Sequence, residues 1–323
     1  MRFGEVTPPR TTEEIQQVLD NVAKVVVGKN EAIFMCLVAV VAGGHVLLED
    51  VPGVGKTLLV RALARTLNCH FNRIQFTPDL LPSDVTGTEI YNRETRQFEF
   101  RAGPIFAQIV LADEINRTSP RTQSALLEAL EEHTVSCDGT THELPSPFFV
   151  LATQNPIEYE GTYALPEAQL DRFLMKLSLG YPTPDKEQDV LRAALSDRGI
   201  ETVHSVVNPQ AVLAWQVAAR QVRVEENLLQ YIVEIITKTR QHPDVFLGVS
   251  PRGGVALAKA ARALAWLEGR RYVIPDDIKR LLIPVLSHRL LLHSHAHLNR
   301  RDEKAIIEQI ARETPVPVAM PRR

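Results

Sequence analysis

Five residues, Gly53-Val54-Gly55-Lys56-Thr57, carry the strongest chemical signal in this 323-residue chain. They follow a short apolar run, Val46-Leu47-Leu48, and lead into Leu58 to Leu67, whose apolar residues recur at helical spacing. In such a strand–loop–helix unit the glycines let successive N–H groups face phosphate oxygens, and the helix start adds its positive dipole end. Lys56 would neutralise β- and γ-phosphates, and Thr57 would offer its hydroxyl to Mg²⁺. One position departs from the strict phosphate-loop pattern: Asp50 stands where a glycine is expected, while Pro52-Gly53-x-Gly55-Lys56-Thr57 is intact. Taken alone, the segment also reads as a glycine-rich turn with an incidental lysine.

A second apolar run, Ile109 to Ala112, ends in Asp113-Glu114. Two carboxylates there would lie at the carboxyl end of a buried strand, the edge at which open parallel sheets bind ligands. Asp113 would hold the magnesium shell, and Glu114 would orient and activate an attacking water. A third run, Phe148–Ala152, continues into Thr153-Gln154-Asn155-Pro156. The proline biases Asn155 toward an extended conformation, from which its amide could help hold that water. An Asn-Pro pair is equally at home in a plain turn.

These groups need a scaffold, and the spacing of apolar residues supplies one. Ile15, Val18, Leu19 and Val22 predict an amphipathic helix ending near Gly28, and a second helix covers Glu31 to Ala42. Apolar runs at Val46–Glu49, Phe71–Phe76, Ile109–Ala112, Phe148–Ala152 and Leu174–Leu179 alternate with helical segments, the pattern of a parallel sheet covered on both faces. Ser119-Pro120 starts one of those helices. Hairpins are expected over Gly87–Gly103 and over Thr134–Leu144, the second turning at Cys137-Asp138-Gly139. Pro182 and Pro184 mark a linker, and the chain from Asp185 onward reads as helices only. The expected division is therefore residues 1–184 and 185–323.

Composition narrows the class. With 45% hydrophobic and 23% charged residues the chain is not disordered, and its three cysteines, widely spaced, make no disulfide framework or paired metal site. Balanced charge, 36 basic against 39 acidic residues, gives no global attraction to nucleic acid or anionic membrane. The apolar stretch from Ala32 to Leu48 is broken by Gly43-Gly44-His45 and reads as helix, turn and strand, not a membrane span. Met1 to Glu5 lacks the apolar core of a targeting signal, so a cytoplasmic protein is expected.

Taken together, the motifs resemble those of the AAA+ ATPases and, more closely, the MoxR family, a helix-2-insert type. The resemblance is carried by Gly44-His45-Val46-Leu47-Leu48-Glu49-Asp50 through Thr57, by Leu111-Ala112-Asp113-Glu114-Ile115-Asn116-Arg117, and by Leu151 to Pro156. It continues through Glu160-Gly161-Thr162-Tyr163 and Leu165 to Phe173, then Ser250-Pro251-Arg252 and Val273 to Ile278. It implies a phosphate-loop AAA+ core with a five-stranded parallel sheet between helices, followed by a C-terminal all-helical lid. The two hairpins, about 87–103 and 134–144, match the family's helix-2 insert and pre-sensor-1 hairpin.

The resemblance also implies roles. ATP would be bound by Val27, Gly28, Pro52, Gly53, Val54, Gly55, Lys56, Thr57, Leu58 and Asp113, with Val26-Val27-Gly28 packing on adenine and Thr57 and Asp113 holding Mg²⁺. Catalysis would fall to Glu114, to Asn155 as sensor 1, to Arg172 as an arginine finger reaching a neighbouring subunit, and to Arg252 as a sensor-2 arginine serving its own subunit. Arg117 and Arg121 compete with Arg172 for the finger, and each arginine could instead be a surface ion pair. Ser250 suits an N-cap before Pro251, whereas Ile274 before Pro275 lacks a capping hydroxyl.

The implied function is a ring ATPase, of hexamer type, that remodels or matures protein clients beside a partner with a von Willebrand factor type A domain. A nucleic-acid-stimulated motor is the alternative, implied because some helix-2-insert relatives translocate on DNA; the near-neutral charge weighs against it, and the doublets Arg270-Arg271 and Arg300-Arg301 more often are solvated faces. A GTP switch lacks an Asn-Lys-x-Asp segment, and a scaffold without turnover is disfavoured because every catalytic position is filled. The sequence names neither the client, the stoichiometry, nor any metal-insertion role.

Overall fold

The computed structural model describes residues 9–137, 139–155, 163–195, 199–298 and 301–317. Met1 to Glu5, Asp138 of the second turn, Pro156, the Glu160–Thr162 stretch and Arg300 lie outside them.

Two helices, α1 (Pro9–Ala23) and α2 (Asn30–Ala42), precede an alternation of strand and helix. In order these are β1 (Val46–Glu49), α3 (Lys56–Thr66), β2 (Phe71–Gln75), α4 (Pro82–Thr86), the hairpin β3–β4 (Gly87–Asn92, Gln97–Ala102) and β5 (Ile109–Asp113). There follow α5 (Pro120–Glu132), the hairpin β6–β7 (Thr134–Cys137, Thr140–Glu143), β8 (Phe149–Gln154), α6 (Glu167–Leu170) and β9 (Met175–Leu177). The remainder holds α7 (Pro184–Leu195), α8 (Pro209–Arg220), α9 (Glu226–Gln241), β10 (Val245–Leu247), α10 (Pro251–Leu267), α11 (Pro275–Leu286), β11 (Leu291–Leu292), α12 (Ser294–Leu298) and α13 (Glu303–Glu313).

The sheet is five-stranded, all parallel, in the order β2-β5-β8-β1-β9. Its register pairs Gln75 with Asp113 and Glu49 with Gln154, so the strands end together along one edge. Alternation divides the core. Val46, Leu48, Ile109, Leu111, Phe149 and Leu151 face α1, α2, α3 and the C-terminal helices, while Leu47, Val110, Ala112, Val150 and Ala152 face α5 and the hairpins. Both strand faces are apolar because both are covered. The hairpins fall at the expected places and pack together through Phe100 stacked on His142, centroids 3.8 Å apart.

Several local expectations change. Helix α1 ends at Ala23, and a turn carries the chain to Gly28. The C-terminal part is not helical only: β10 and β11 form an antiparallel pair, Val245 opposite Leu292. Asp244 fastens it, its carbonyl accepting from the N–H of His293 at 2.9 Å and its carboxylate pairing with Arg301 at 2.6 Å. Ser250 does not cap α10, since its hydroxyl donates to Asp171 Oδ2 at 3.2 Å. Helix α11 starts at Pro275 without a capping hydroxyl because Asp277 accepts the N–H of Ile274 at 2.9 Å.

His45, 3% exposed, joins three elements at the start of β1. Its Nδ1 accepts the N–H of Val150 at 3.1 Å, so Nε2 carries the proton toward the carbonyl of Leu130 at 3.0 Å. Burial holds this ring neutral, lowering its pKa to about 4. The unfolded chain takes up a proton near pH 6.5 that the folded chain refuses until about pH 4. The stability from His45 is therefore full above about pH 6.5 and falls as pH drops toward 4, by about 3 kcal/mol in all. Urea unfolding at stepped pH should show His45→Gln less acid-sensitive than the parent over this window. Parallel curves would mean that His45 is not the titrating group.

Candidate active site

The phosphate-loop segment connects β1 to α3. Gly53 and Gly55 have φ of +85° and +91°, which side chains rarely adopt, and open space lies where a Cβ would stand. Backbone can therefore approach a ligand closely. Helix α3 begins at Lys56 with no side-chain cap and no acidic residue in its first turn, leaving its N–H donors for an anion. Lys56 Nζ donates to the carbonyl of Asp50 at 2.9 Å, Thr57 follows it, and Val54 and Leu58 pack on the core beneath. Pro52 is exposed at the loop's turn.

Asp50, the departure from the glycine pattern, has a structural task. It is buried, and its carboxylate accepts from Ser178 Oγ at 2.8 Å and from the N–H groups of Leu179 and Gly180, 2.5 and 2.9 Å away. Lys29 Nζ donates to the carbonyls of the same two residues at 2.7 and 2.8 Å. The chain leaving β9 is thus pinned between the loop and the segment after Gly28. Beside it lies a cavity of about 370 Å³ lined by Gly28, Ala32, Met35, Leu177 and Leu179, with Arg280 and Pro284 opposite. Val27 is half-buried next to it, and Gly28 has φ +74° with the Lys186 chain 3.0 Å from where a Cβ would stand. Lys29, Glu31, Ser178 and Thr183 add polar groups to the cavity lining.

At the neighbouring strand ends the carboxylates gather. Asp113 Oδ1 accepts from Thr153 Oγ1 at 2.7 Å, and Oδ2 pairs with Arg73 at 2.7 Å. Glu114 stands in the left-handed region, φ +58°, held by its N–H to Thr153 Oγ1 at 2.8 Å. Its Oε2 accepts from Gln75 Nε2 at 2.7 Å and Arg117 at 3.1 Å. Asn155 is buried at the end of β8, its carbonyl accepting from Asn116 at 3.3 Å. Reading the sequence missed Arg73, Gln75 and Thr153. Their signal was the position of Gln75 in the β2 run, which the register sets opposite Asp113. Oxygen donors from Thr57 and Asp113 are the kind Mg²⁺ takes beside substrate phosphates, without a dedicated cage of protein ligands.

The arginines lie elsewhere. Arg172 Nε is 3.3 Å from Glu131 Oε2, and Arg252 bonds to Oε1 of the same carboxylate. Glu131 lies in the last turn of α5 beside Leu130, which bonds His45 ahead of β1, and Leu174 donates to the carbonyl of His45 at 2.8 Å. This pair therefore sits where β1 and β9 begin, whereas Gly53 to Thr57 follows the end of β1, about 13 Å further along a four-residue strand. Arg252, expected to serve its own subunit's phosphates, keeps company with Arg172 at Glu131, and Ser250 two residues ahead of it bonds to Asp171. Arg117 belongs to the opposite edge, on Glu114, and Arg121 is exposed in the first turn of α5.

Removing the Asp50 carboxylate orphans two N–H groups. Asp50→Ala should destabilise the chain by about 2–3 kcal/mol and Ser178→Ala by no more than about 1 kcal/mol, read from urea unfolding at neutral pH. Equal losses would mean that the backbone bonds to Asp50 contribute little.

A model of the ATPase family associated with various cellular activities (AAA) matches residues 45–175, and one of the AAA lid domain matches 237–310. The uncharacterized protein YeaC of Bacillus subtilis (strain 168) is 56% identical over 302 residues, 94% of each chain. Chaperone MoxR1 of Mycobacterium tuberculosis is 40% identical over 313 residues, 94% of this chain and 82% of its own length. A crystal structure from Cytophaga hutchinsonii, provisionally assigned as an ATPase, superposes with a TM-score of 0.90 at 42% identity, covering 96% of both chains. With this sheet order, this loop and these relatives, the chain belongs to the MoxR family of AAA ATPases.

Proposed function

We propose that this chain binds ATP with Mg²⁺ and hydrolyses it within a ring, most simply a hexamer, to drive chaperone-like remodelling or maturation of protein clients. Residues 1–184 form the nucleotide-binding core and 185–323 the lid. The observation that carries this reading is the separation of loop and arginines to opposite ends of one parallel sheet. A complete site then needs the arginine edge of one copy against the loop edge of the next.

In this reading the N–H groups of Gly53 to Thr57 and the Lys56 ammonium hold the phosphates, and adenine enters the cavity beside Val27 and Gly28. Thr57 and Asp113 would hold Mg²⁺, which would supply charge neutralisation at the phosphates. Gln75 and Arg117 hold one oxygen of Glu114, leaving Oε1 to take the proton of a water aligned with the γ-phosphorus, with Asn155 steadying that water. Charge growing on the transferring oxygens meets Lys56 and, from the neighbour, Arg172 and Arg252. Such fingers contribute about 10³–10⁵ in rate.

A protein client fits better than nucleic acid. Arg270 is bound by Asp277 and Glu268, and Arg301 by Asp244, so neither of these two arginines stands as a free cation. Tyr91 and Phe98, exposed on the β3–β4 hairpin, give a client an apolar hold. A partner with a von Willebrand factor type A domain and a cytoplasmic location complete the proposal. Among the described residues no helix is long and apolar enough to cross a membrane.

Lys56→Ala should lose nucleotide affinity in a fluorescent-ATP titration; retained tight binding would remove the loop assignment. Glu114→Gln should bind ATP normally with turnover lowered about 10²–10⁴-fold. Held in ATP, it should also retain clients and adaptor on affinity capture. Mixing inactive Glu114→Gln with inactive Arg172→Ala should restore hydrolysis, and Arg252→Ala should complement in the same way. Complementation by neither arginine variant would place both in their own subunit's site.

A further inference from the structure

We propose that Arg289 is the positioning residue that sets Arg172 and Arg252 as one unit for delivery to the adjoining copy. It rests on the reading above that both arginines act in trans. Arg289 ends a single helical turn, Ser287–Arg289, after α11, and its side chain is 3% exposed. Its guanidinium has five N–H donors, and five oxygen acceptors surround it, with His288 Nε2 also 2.9 Å from Nη1. Nε donates to Asp171 Oδ1 at 2.6 Å, and Nη2 to the carbonyls of Asp171 and Phe173 at 3.1 and 2.7 Å. Nη1 donates to the carbonyls of Leu174, at 3.2 Å, and Val285. Four of these five acceptors lie in the segment 171–174 that carries Arg172.

The same carboxylate reaches the other arginine. Asp171 Oδ2 accepts from Ser250 Oγ, two residues ahead of Arg252. Room for the arrangement is left at Gly253, where an added Cβ would stand 3.0 Å from Arg289 Cδ and 2.4 Å from Val249 Cγ1. Asp171 is thus gripped on both oxygens from the C-terminal helices, and the start of β9 with Arg172 moves only as those helices move. Glu131 then aligns the two guanidinium groups side by side. A lysine has the charge but a single nitrogen with three donors, which cannot span these acceptors.

The test uses the full chain carrying Arg289→Lys, with Asp171→Asn as a second variant. Alone, each should bind a fluorescent ATP analogue as the parent does and keep its KM, while kcat falls about 10²-fold, as for a displaced catalytic group. Mixed with Glu114→Gln, whose arginines are intact, each should regain hydrolysis above either component. Complementation locates the damage at the arginine edge, which a general loss of fold would not give. Parental kcat in Arg289→Lys, or failure to complement where Arg172→Ala does, overturns the assignment. Failure of Arg172→Ala itself to complement overturns the trans reading and this inference with it.

Discussion

All five strands of the sheet run in one direction, and the chemistry of the molecule is arranged by that polarity. Parallel strands in register end together, so Gln75 lies opposite Asp113 and Asp113 meets Thr153, although 78 residues separate the first from the last. The loop after β1 opens on the same edge, where helix α3 turns its uncapped N–H groups outward. Strand beginnings form the other edge, and Arg172 precedes β9 there. The uncapped N–H groups of α3 and the Arg172–Arg252 pair are thus held apart by the length of a strand.

Multiply hydrogen-bonded carboxylates hold both edges. Asp50 fixes the phosphate loop to the chain leaving β9, and Asp171 fixes the chain entering β9 to the C-terminal helices. Neither is a solvent-exposed ion pair of small worth. Each is surrounded by N–H or guanidinium donors, and removal of one partner would leave a buried group unsatisfied. Strand β9, three residues long, is therefore gripped at both ends by acids from different parts of the chain. Rotation of the C-terminal helices would pass through it to loop and arginines together.

Much of this was legible in the residues themselves. Continuous apolar runs gave the strands, the glycines of residues 53–55 gave the loop, and Asp113-Glu114 at a strand end gave the second half of the site. What was not legible depends on partners distant in the chain. Ser250 reads as a cap until Asp171 competes for its hydroxyl, 79 residues away. Asp50 reads as a flaw in a motif until Leu179 and Gly180 present their N–H groups. Arg252 carries the signature of its family, but its partner Glu131 lies 121 residues away, and no local pattern announces a shared carboxylate. The β10–β11 pair is too short for alternation to show.

The proposed site is completed between copies. Its most direct test is specific ATPase activity followed on dilution, with nucleotide binding and molecular mass recorded on the same samples. Activity per subunit should collapse as the assembly dissociates, while ATP affinity persists through Lys56 and the loop. A dilute monomer that hydrolyses ATP at the undiluted rate would contradict it.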